Sequence, residues 1–123
     1  MTAQLRRPKP LPEKFAVTRP CAIICLTGSE LTRGETRDAN GSFLARELTM
    51  LGIHIKEILL LPDNRQQLEE AFAKLTEKAD ILIISGGLGP TADDLTISAL
   101  AAALGRGVTI DPTARESMRC KAL

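Results

Sequence analysis

Aromatic side chains are nearly absent from this sequence: they make up 2% of its 123 residues, and neither tryptophan nor tyrosine occurs. Proteins that hold single-stranded nucleic acid stack its bases on exposed aromatic rings. The composition therefore argues against that class of function. The remaining composition, with 44% hydrophobic and 25% charged residues, is typical of a soluble globular protein. The length fits one domain with one core.

Cysteine is scarce as well, with Cys21, Cys25 and Cys120 only. An odd number without paired spacing gives neither a disulfide framework nor a zinc site. Cys21 and Cys25 lie four apart in a strand-like run, so we expect both to be small buried hydrophobic residues on one side of it. No apolar run is long enough to cross a membrane. The predicted location is the cytoplasm, without a membrane partner.

Positive charge is concentrated at the start of the chain. Residues 1–19 carry five basic residues and one acidic residue, with several prolines, whereas the remainder carries eleven basic and fourteen acidic residues. We expect residues 1–19 to be a flexible leader and residues 20–123 to be the folded domain. A tether to nucleic acid or membrane is the alternative for the leader. The slightly acidic domain predicts no nucleic-acid partner.

Strand-like and helix-like segments alternate along the domain. Buried strands are predicted at Cys21 to Gly28, at Ile53 to Leu61 and at Ile81 to Ile84. Helical spacing lies between them, and the capping candidates are Asn40 or Ser42, Asn64 and Asp111. A third helix carries Ile97, Leu100, Ala101 and Leu104 on one face, and "VTI" (residues 108–110) is a candidate short strand. The order predicts an α/β fold, a three-layer α/β/α sandwich around a parallel sheet.

Two polar, glycine-containing loops follow the first and third strands. Ligands of open parallel sheets bind beyond the carboxyl ends of the strands, so a 2-1-3 strand order would make these loops neighbours. The candidate phosphate-binding and ligand-binding residues are Gly28, Ser29, Glu30, Asn40, Ser85, Gly86, Gly87, Gly89 and Thr91.

The second loop, "SGGLGPTADDLT", joins glycines to two adjacent carboxylates, Asp93 and Asp94. Backbone N–H groups before a helix form an anion site that suits phosphate. Carboxylates beside it would repel phosphate unless a cation lies between them. The prediction is a phosphorylated ligand with a divalent metal ion held by Asp93 and Asp94. The alternative is structural: Asp93 caps the third helix, and the glycines form a tight turn.

Other candidate sites are weaker. Gly87, Gly89 and Ala92 fit the spacing of a dinucleotide-binding loop, but they follow the third strand rather than the first. His54 is the only histidine and lies in a strand, where we expect a structural or surface role. No histidine lies in the loops of Ser29 or Ser85, which disfavours a catalytic triad.

The two loops resemble those of the CinA family, in its N-terminal domain of the molybdopterin-binding fold. "GSELTRGETRDAN" fits the family pattern G-x-E-L-x-x-G-x-x-x-x-x-N, and "GGLGPTADDLT" fits G-G-L-G-P-T-x-D-D-x-T throughout. "PDN" (residues 62–64) stands where G-D-N is common in the family. The resemblance covers about residues 20–120.

This resemblance implies a nucleotide or pterin ligand and, in CinA-type proteins, metal-dependent hydrolysis of the ADP-ribose pyrophosphate bond. Asp93 and Asp94 would be the catalytic, metal-holding residues. In the relatives of molybdenum cofactor biosynthesis it implies binding, and in some adenylylation, of molybdopterin. The C-terminal amidase domain of the family is absent from the sequence. The last part of the binding domain is also missing, so an exposed sheet edge is expected.

Three hypotheses remain open: a pyrophosphate hydrolase, a non-catalytic molybdopterin-binding module, and an inactive truncated copy that needs a partner. Related domains form dimers or trimers, so a homo-oligomer is an open alternative.

Overall fold

The computed structural model describes residues 18–121. Most of the predicted leader, residues 1–17, lies outside the described residues. The elements in chain order are β1 (Cys21–Thr27), α1 (Ser29–Thr32), α2 (Asn40–Met50), β2 (His54–Leu61), α3 (Arg65–Lys78), β3 (Ile81–Ser85), α4 (Thr96–Ala103) and α5 (Pro112–Lys121).

The sheet is parallel with the order β2-β1-β3, the order that makes the loops after β1 and β3 neighbours. β1 is central, and six of its seven residues are buried because both faces are covered by helices. Within residues 18–121, β2 and β3 each pair only with β1. The carboxyl ends of β1 and β3 lie side by side, since Leu26 is paired with Ser85. The α/β architecture with a parallel sheet is therefore confirmed.

Alternate residues of β1 face opposite layers. Ile23 and Cys25 join the main core with Leu68, Phe72 and Leu75 of α3, to which Ala99 of α4 adds. This arrangement follows from the sequence because α3 carries its large apolar side chains on one face at helical spacing. Burial raises the pKa of the Cys25 thiol to about 11, so this cysteine is a neutral packing residue at neutral pH.

The opposite face of the sheet is covered by α2, which packs against β1 and β2. Gly41 is buried in the first turn of this helix, where a Cβ atom would lie 2.9 Å from the Leu26 side chain and 3.4 Å from Ile58. A side chain at residue 41 would therefore push α2 away from the sheet. Because residue 41 has no side chain, the start of α2 lies directly over the end of β1.

Two predicted helix caps are confirmed. The Asn64 side chain accepts a hydrogen bond of 3.0 Å from the Gln67 N–H and begins α3. The Asp111 carboxylate accepts one of 2.9 Å from the Ala114 N–H and begins α5. Both side chains satisfy N–H groups that have no partner inside their own helix.

Several local predictions were wrong. Residues 108–110 form no strand, because no neighbouring strand accepts them and Val108 and Ile110 stay exposed. The predicted face of α4 is only partly buried: Ile97 and Leu104 are exposed, while Thr96 and Ala99 are buried. The helix carries its own apolar residues on most of its sides, so their spacing alone did not identify the side that faces the core.

Three further findings concern a short segment and single residues. The loop after β1 contains a helix of four residues, α1, that was not predicted. Cys25 is buried as expected, whereas Cys21 at the strand end is only half-buried. His54 is exposed on β2, in agreement with a surface role. Across residues 18–121, every helix is too short or too polar to span a membrane.

The core makes a direct stability prediction at Phe72, whose side chain is fully buried. Phe72→Ala should lower the free energy of unfolding by about 3 to 5 kcal/mol, because it removes a ring and leaves a cavity. Urea unfolding followed by circular dichroism measures the change. Met118→Ala, at a position 71% exposed, is the control and should change stability by less than about 0.5 kcal/mol. Equal losses in both variants would contradict this description of the core.

Candidate functional site

A pocket of about 290 Å³ opens where β1 and β3 end. The segment between β1 and α2 contributes Glu30, Arg37 and Asp38, the start of α2 contributes Asn40, and the end of β3 with the loop after it contributes Ser85 and Gly86. The full lining is Leu26, Thr27, Glu30, Leu31, Thr36, Arg37, Asp38, Ala39, Asn40, Ser85 and Gly86. The predicted meeting of the two loops is thus confirmed in position, at the edge of the sheet where parallel folds bind ligands.

A network of buried hydroxyl groups holds the glycine loop against the sheet. The Thr96 hydroxyl donates to the Gly86 carbonyl oxygen at 2.8 Å and lies 3.1 Å from the Thr27 hydroxyl. The Thr27 hydroxyl also lies 3.4 Å from the Ser85 carbonyl oxygen. Thr27 and Thr96 are 3% and 2% exposed, so the contact between their hydroxyls is shielded from water, while the hydrogen bonds to the Gly86 and Ser85 carbonyl oxygens are partly buried. They join the last residue of β1, the glycine loop and the first residue of α4.

Two positions of this loop require glycine. Gly86 has φ 102° and Gly87 has φ 61°, values that residues with a side chain rarely adopt. A Cβ atom at Gly86 would overlap the Thr27 carbonyl oxygen, and one at Gly87 would overlap the Thr96 hydroxyl. Backbone geometry and close packing therefore require the absence of a side chain at the same two residues.

In the described part of the chain, the N–H groups of Gly87 and Leu88 donate to no protein acceptor. They precede α4, whose N-terminus carries the positive end of the helix dipole. A bound anion could accept from these groups.

The two adjacent aspartates differ in their environment. The Asp94 carboxylate accepts hydrogen bonds from the Thr91 hydroxyl at 2.6 Å and from the Thr91 N–H at 3.0 Å. These hydrogen bonds hold the pKa of Asp94 below its ordinary value, with a further contribution from the Gly89 N–H. Asp94 therefore closes the loop around Thr91 and stays ionised.

Asp93 is exposed, and the structure does not use it as a helix cap. The N-cap position of α4 is Leu95, and no side chain satisfies the first N–H groups there. The capping alternative for Asp93 is thus wrong. Its carboxylate projects from the surface beside the loop that Asp94 closes.

Ser29 and Asp63 are joined by a reciprocal pair of hydrogen bonds. The Ser29 N–H donates to the Asp63 carboxylate at 3.1 Å, and the Asp63 N–H donates to the Ser29 hydroxyl oxygen at 3.0 Å. This pair fixes the loop after β1 against the loop after β2. The Glu30 carboxyl group lies over Gly28, where a Cβ atom would approach its oxygen to 2.6 Å.

The side chain of Asp38 caps the first turn of α2. Asn40 or Ser42 was predicted to do so, and that prediction was wrong. The Asp38 carboxylate accepts hydrogen bonds from the Asn40 N–H at 2.9 Å and from the Gly41 N–H at 3.0 Å. The Asn40 side chain is thereby free to donate to the Ser85 hydroxyl at 3.2 Å, across the pocket from one loop to the other. The correction follows from geometry: a cap precedes the N–H groups that it satisfies.

A metal site made by protein groups alone is not formed within residues 18–121, where no three acidic, histidine or cysteine side chains are grouped. Asp93 and Asp94 offer two carboxylates, one of which is already hydrogen-bonded. Magnesium-type ions are commonly held by one or two carboxylates together with phosphate oxygens and water. The donor set therefore fits a metal ion that arrives with a phosphorylated ligand.

The structure divides the predicted site residues into two groups. Glu30, Asn40, Ser85 and Gly86 line the pocket together. The other predicted residues do not line it: Gly28, Ser29, Gly87, Gly89, Thr91, Asp93 and Asp94.

Sequence reasoning missed Thr96, which holds the glycine loop, and seven of the residues that line the pocket. The seven are Leu26, Thr27, Leu31, Thr36, Arg37, Asp38 and Ala39. An available signal for Asp38 was its place just before a helical pattern. The hydroxyl contacts of Thr27 and Thr96 join residues 69 positions apart, so no local pattern indicates them.

Comparison with known proteins identifies relatives of this arrangement. Residues 22–122 match the model of a family described as "Probable molybdopterin binding domain". A competence-damage inducible protein of Moorella thermoacetica is 45% identical over 92 residues, which are 75% of this chain and 22% of that protein. The matched segment makes up between 22% and 39% of the length of such curated relatives.

Solved structures agree with the sequence match. The protein CinA of Thermoplasma acidophilum superposes with a TM-score of 0.73 at 31% identity, over 78% of this chain and 57% of that one. The molybdopterin biosynthesis enzyme MoaB of Thermus thermophilus gives a TM-score of 0.62 at 25% identity, over 85% of this chain and 65% of that one.

The hydroxyl network leads to a prediction at Thr96. Thr96→Val should cost about 1 to 3 kcal/mol, because the Gly86 carbonyl and the buried Thr27 hydroxyl lose a partner while the shape of the side chain is kept. Chemical denaturation measures the loss. Thr109→Val makes the same chemical change at an exposed residue and should be neutral within about 0.5 kcal/mol. A Thr96 variant as stable as the control would show that the network does not hold the loop.

Proposed function

This chain belongs to the molybdopterin-binding-domain family and carries a CinA-type domain, and from this membership we propose that it binds a phosphorylated pterin or nucleotide at the ends of β1 and β3. The observation that carries the proposal is the pocket of about 290 Å³ between the two loops. Asn40 and Ser85 provide polar side chains there, and Gly86 presents bare backbone.

The polar groups favour an anionic part of the ligand. The Gly87 and Leu88 N–H groups are donors without a protein acceptor in the described chain, next to the N-terminus of α4. Phosphate is bound by such groups in many proteins. The pterin is favoured over other phosphorylated molecules because the Thermus relative is described as a molybdopterin biosynthesis enzyme.

A second candidate function is metal-dependent hydrolysis of the ADP-ribose pyrophosphate bond. The specific observation in its favour is the exposed Asp93 carboxylate beside the ionised Asp94, directly after the glycine loop. In this proposal Asp93 and Asp94 hold a divalent metal ion of unspecified identity against the phosphates. A metal ion so placed supplies activated water and neutralises charge on the pyrophosphate. The chain's own groups orient the diphosphate at the glycine loop.

The non-catalytic module is the alternative, and the contacts of Asp94 favour it. Its carboxylate already accepts two hydrogen bonds from Thr91, which gives this residue a structural reason to be present. In that case the aspartates shape the loop, and the pocket binds its ligand without turnover.

Saturable binding of molybdopterin is the first expected result, and Gly86→Ala should weaken it at least about 10-fold. The added Cβ atom would meet the Thr27 carbonyl oxygen in a backbone conformation unfavourable for alanine, so the loop must shift. Fluorescence titration under anaerobic conditions measures the dissociation constant.

Gly107→Ala is the matched control, because a Cβ atom there would meet no atom within 4 Å. It should bind like the wild type. A wild-type chain that melts cooperatively yet shows no saturable binding of molybdopterin or ADP-ribose would overturn the proposed function.

For the second candidate, the chain should release AMP from ADP-ribose only when a divalent metal ion is present. Asp93→Asn should lower this rate at least about 100-fold, since even groups behind metal ligands affect such sites roughly 10- to 100-fold. Chromatography of the products measures the rate. Glu116→Gln, an exposed acidic residue of α5, is the control. Binding without turnover would eliminate the hydrolase and leave the binding module.

A further inference from the structure

Two arginines lie in the segment between β1 and α2, and their environments differ. The Arg33 guanidinium forms an ion pair with the Glu35 carboxylate at 2.8 Å, with a second hydrogen bond at 3.2 Å. Glu35 raises the pKa of Arg33, with smaller contributions from Glu30 and Asp63. Carboxylates of the chain itself therefore offset the charge of Arg33.

Arg37 lines the pocket, and its charge is not offset in this way. The ion pairs within residues 18–121 join Arg33 to Glu35 and Arg65 to Glu69, and neither includes Arg37. The side chain is exposed, so it is hydrated when no ligand is present. Among the residues that line the pocket, Arg37 is the only one with a cationic side chain.

The acidic residues of the pocket do not take up this cation. The Asp38 carboxylate accepts hydrogen bonds from the Asn40 and Gly41 N–H groups. The Glu30 carboxyl group lies over Gly28 and contributes to the field at Arg33. Within residues 18–121, the Arg37 guanidinium therefore has no carboxylate partner in a pocket that also offers the Asn40 amide and the Ser85 hydroxyl as donors.

We propose that Arg37 is the specificity-determining residue of this site: its guanidinium binds the terminal phosphate group of the ligand opposite the glycine loop. The planar guanidinium offers paired N–H donors that match two phosphate oxygens. Arg37 thereby selects ligands that carry a phosphate over the same pterin or nucleoside without one. The inference rests on the proposed function, whose pocket it uses.

Inorganic anions test the role of Arg37 without assuming either organic ligand. Isothermal titration calorimetry of the whole chain at low salt measures binding of phosphate and of pyrophosphate. Arg37→Gln should lower the affinity for the anion that the wild type binds best by about 10-fold or more, because one charged hydrogen-bond donor is lost. The affinity of Arg37→Lys should lie between those of the wild type and Arg37→Gln, since lysine keeps the charge and lacks the paired N–H donors of the guanidinium. Arg33→Gln, in the same segment but outside the pocket lining, should bind within about twofold of the wild type.

Each outcome bears on the inference. Preference of the wild type for phosphate supports a pterin monophosphate, and preference for pyrophosphate supports a nucleotide diphosphate; either result, with the Arg37 loss, supports the role of Arg37. Equal weakening by Arg33→Gln would overturn it, because general charge would then explain binding. So would an Arg37→Gln chain that binds like the wild type, or a wild type that binds neither anion. Molybdopterin titration of the wild type stands apart from these results, so the proposed function can survive the failure of this inference.

Discussion

The contact between two buried threonine hydroxyls is the constraint on which the site depends. Thr27 ends the central strand, Thr96 begins α4, and the hydroxyl of Thr96 holds the carbonyl oxygen of Gly86 between them. Because the two hydroxyls are buried, breaking the contact between them leaves a polar atom without water to replace its partner. The glycine loop is therefore fixed by the same residues that fix α4 on the sheet.

The polar residues of the loops near Thr27 and Thr96 are of two kinds. Some hold the backbone in place by hydrogen bonds, and others form no hydrogen bond with the described protein. Asp94 closes the turn at Thr91, Asp38 begins α2, and Asp63 joins the loops after β1 and β2. Each of these carboxylates is satisfied by N–H or hydroxyl donors of its own chain. Asp38, Asp63 and Asp94 thus act as structural groups that shape the backbone around the ligand region. Within residues 18–121, the groups near this region that form no hydrogen bond or ion pair with the protein include the Gly87 and Leu88 N–H groups and the side chains of Glu30, Arg37 and Asp93.

The layer architecture could be predicted from the sequence because it depends on patterns of short range. The apolar runs of β1 and β3, and the spacing of Leu68, Phe72 and Leu75 in α3, each carry their own periodic signal. The meeting of the two glycine-containing loops also followed, since strand order decides which loops are neighbours.

What could not be predicted depends on contacts between distant residues. The hydroxyl pair of Thr27 and Thr96 has no local signature, and neither does the inner face of α4, where apolar residues occur on nearly every side. The segment at residues 108–110 has the composition of a strand but no neighbour to pair with. Composition describes what a segment can form, whereas pairing depends on the rest of the chain. The roles of Asp93, of a metal ion and of the remaining predicted ligand residues stay predictions.

The most direct test of the central claim is a nitrogen-15 NMR titration of the labelled chain with molybdopterin, read at each backbone amide. If the site lies at the carboxyl ends of β1 and β3, the largest shift changes will occur at Gly86, Gly87 and Leu88, with smaller ones at Asn40. The amides of Gly52 to His54, at the opposite end of the sheet, should not move. Changes centred on that opposite end, or none at the glycine loop despite saturable binding, would contradict the account.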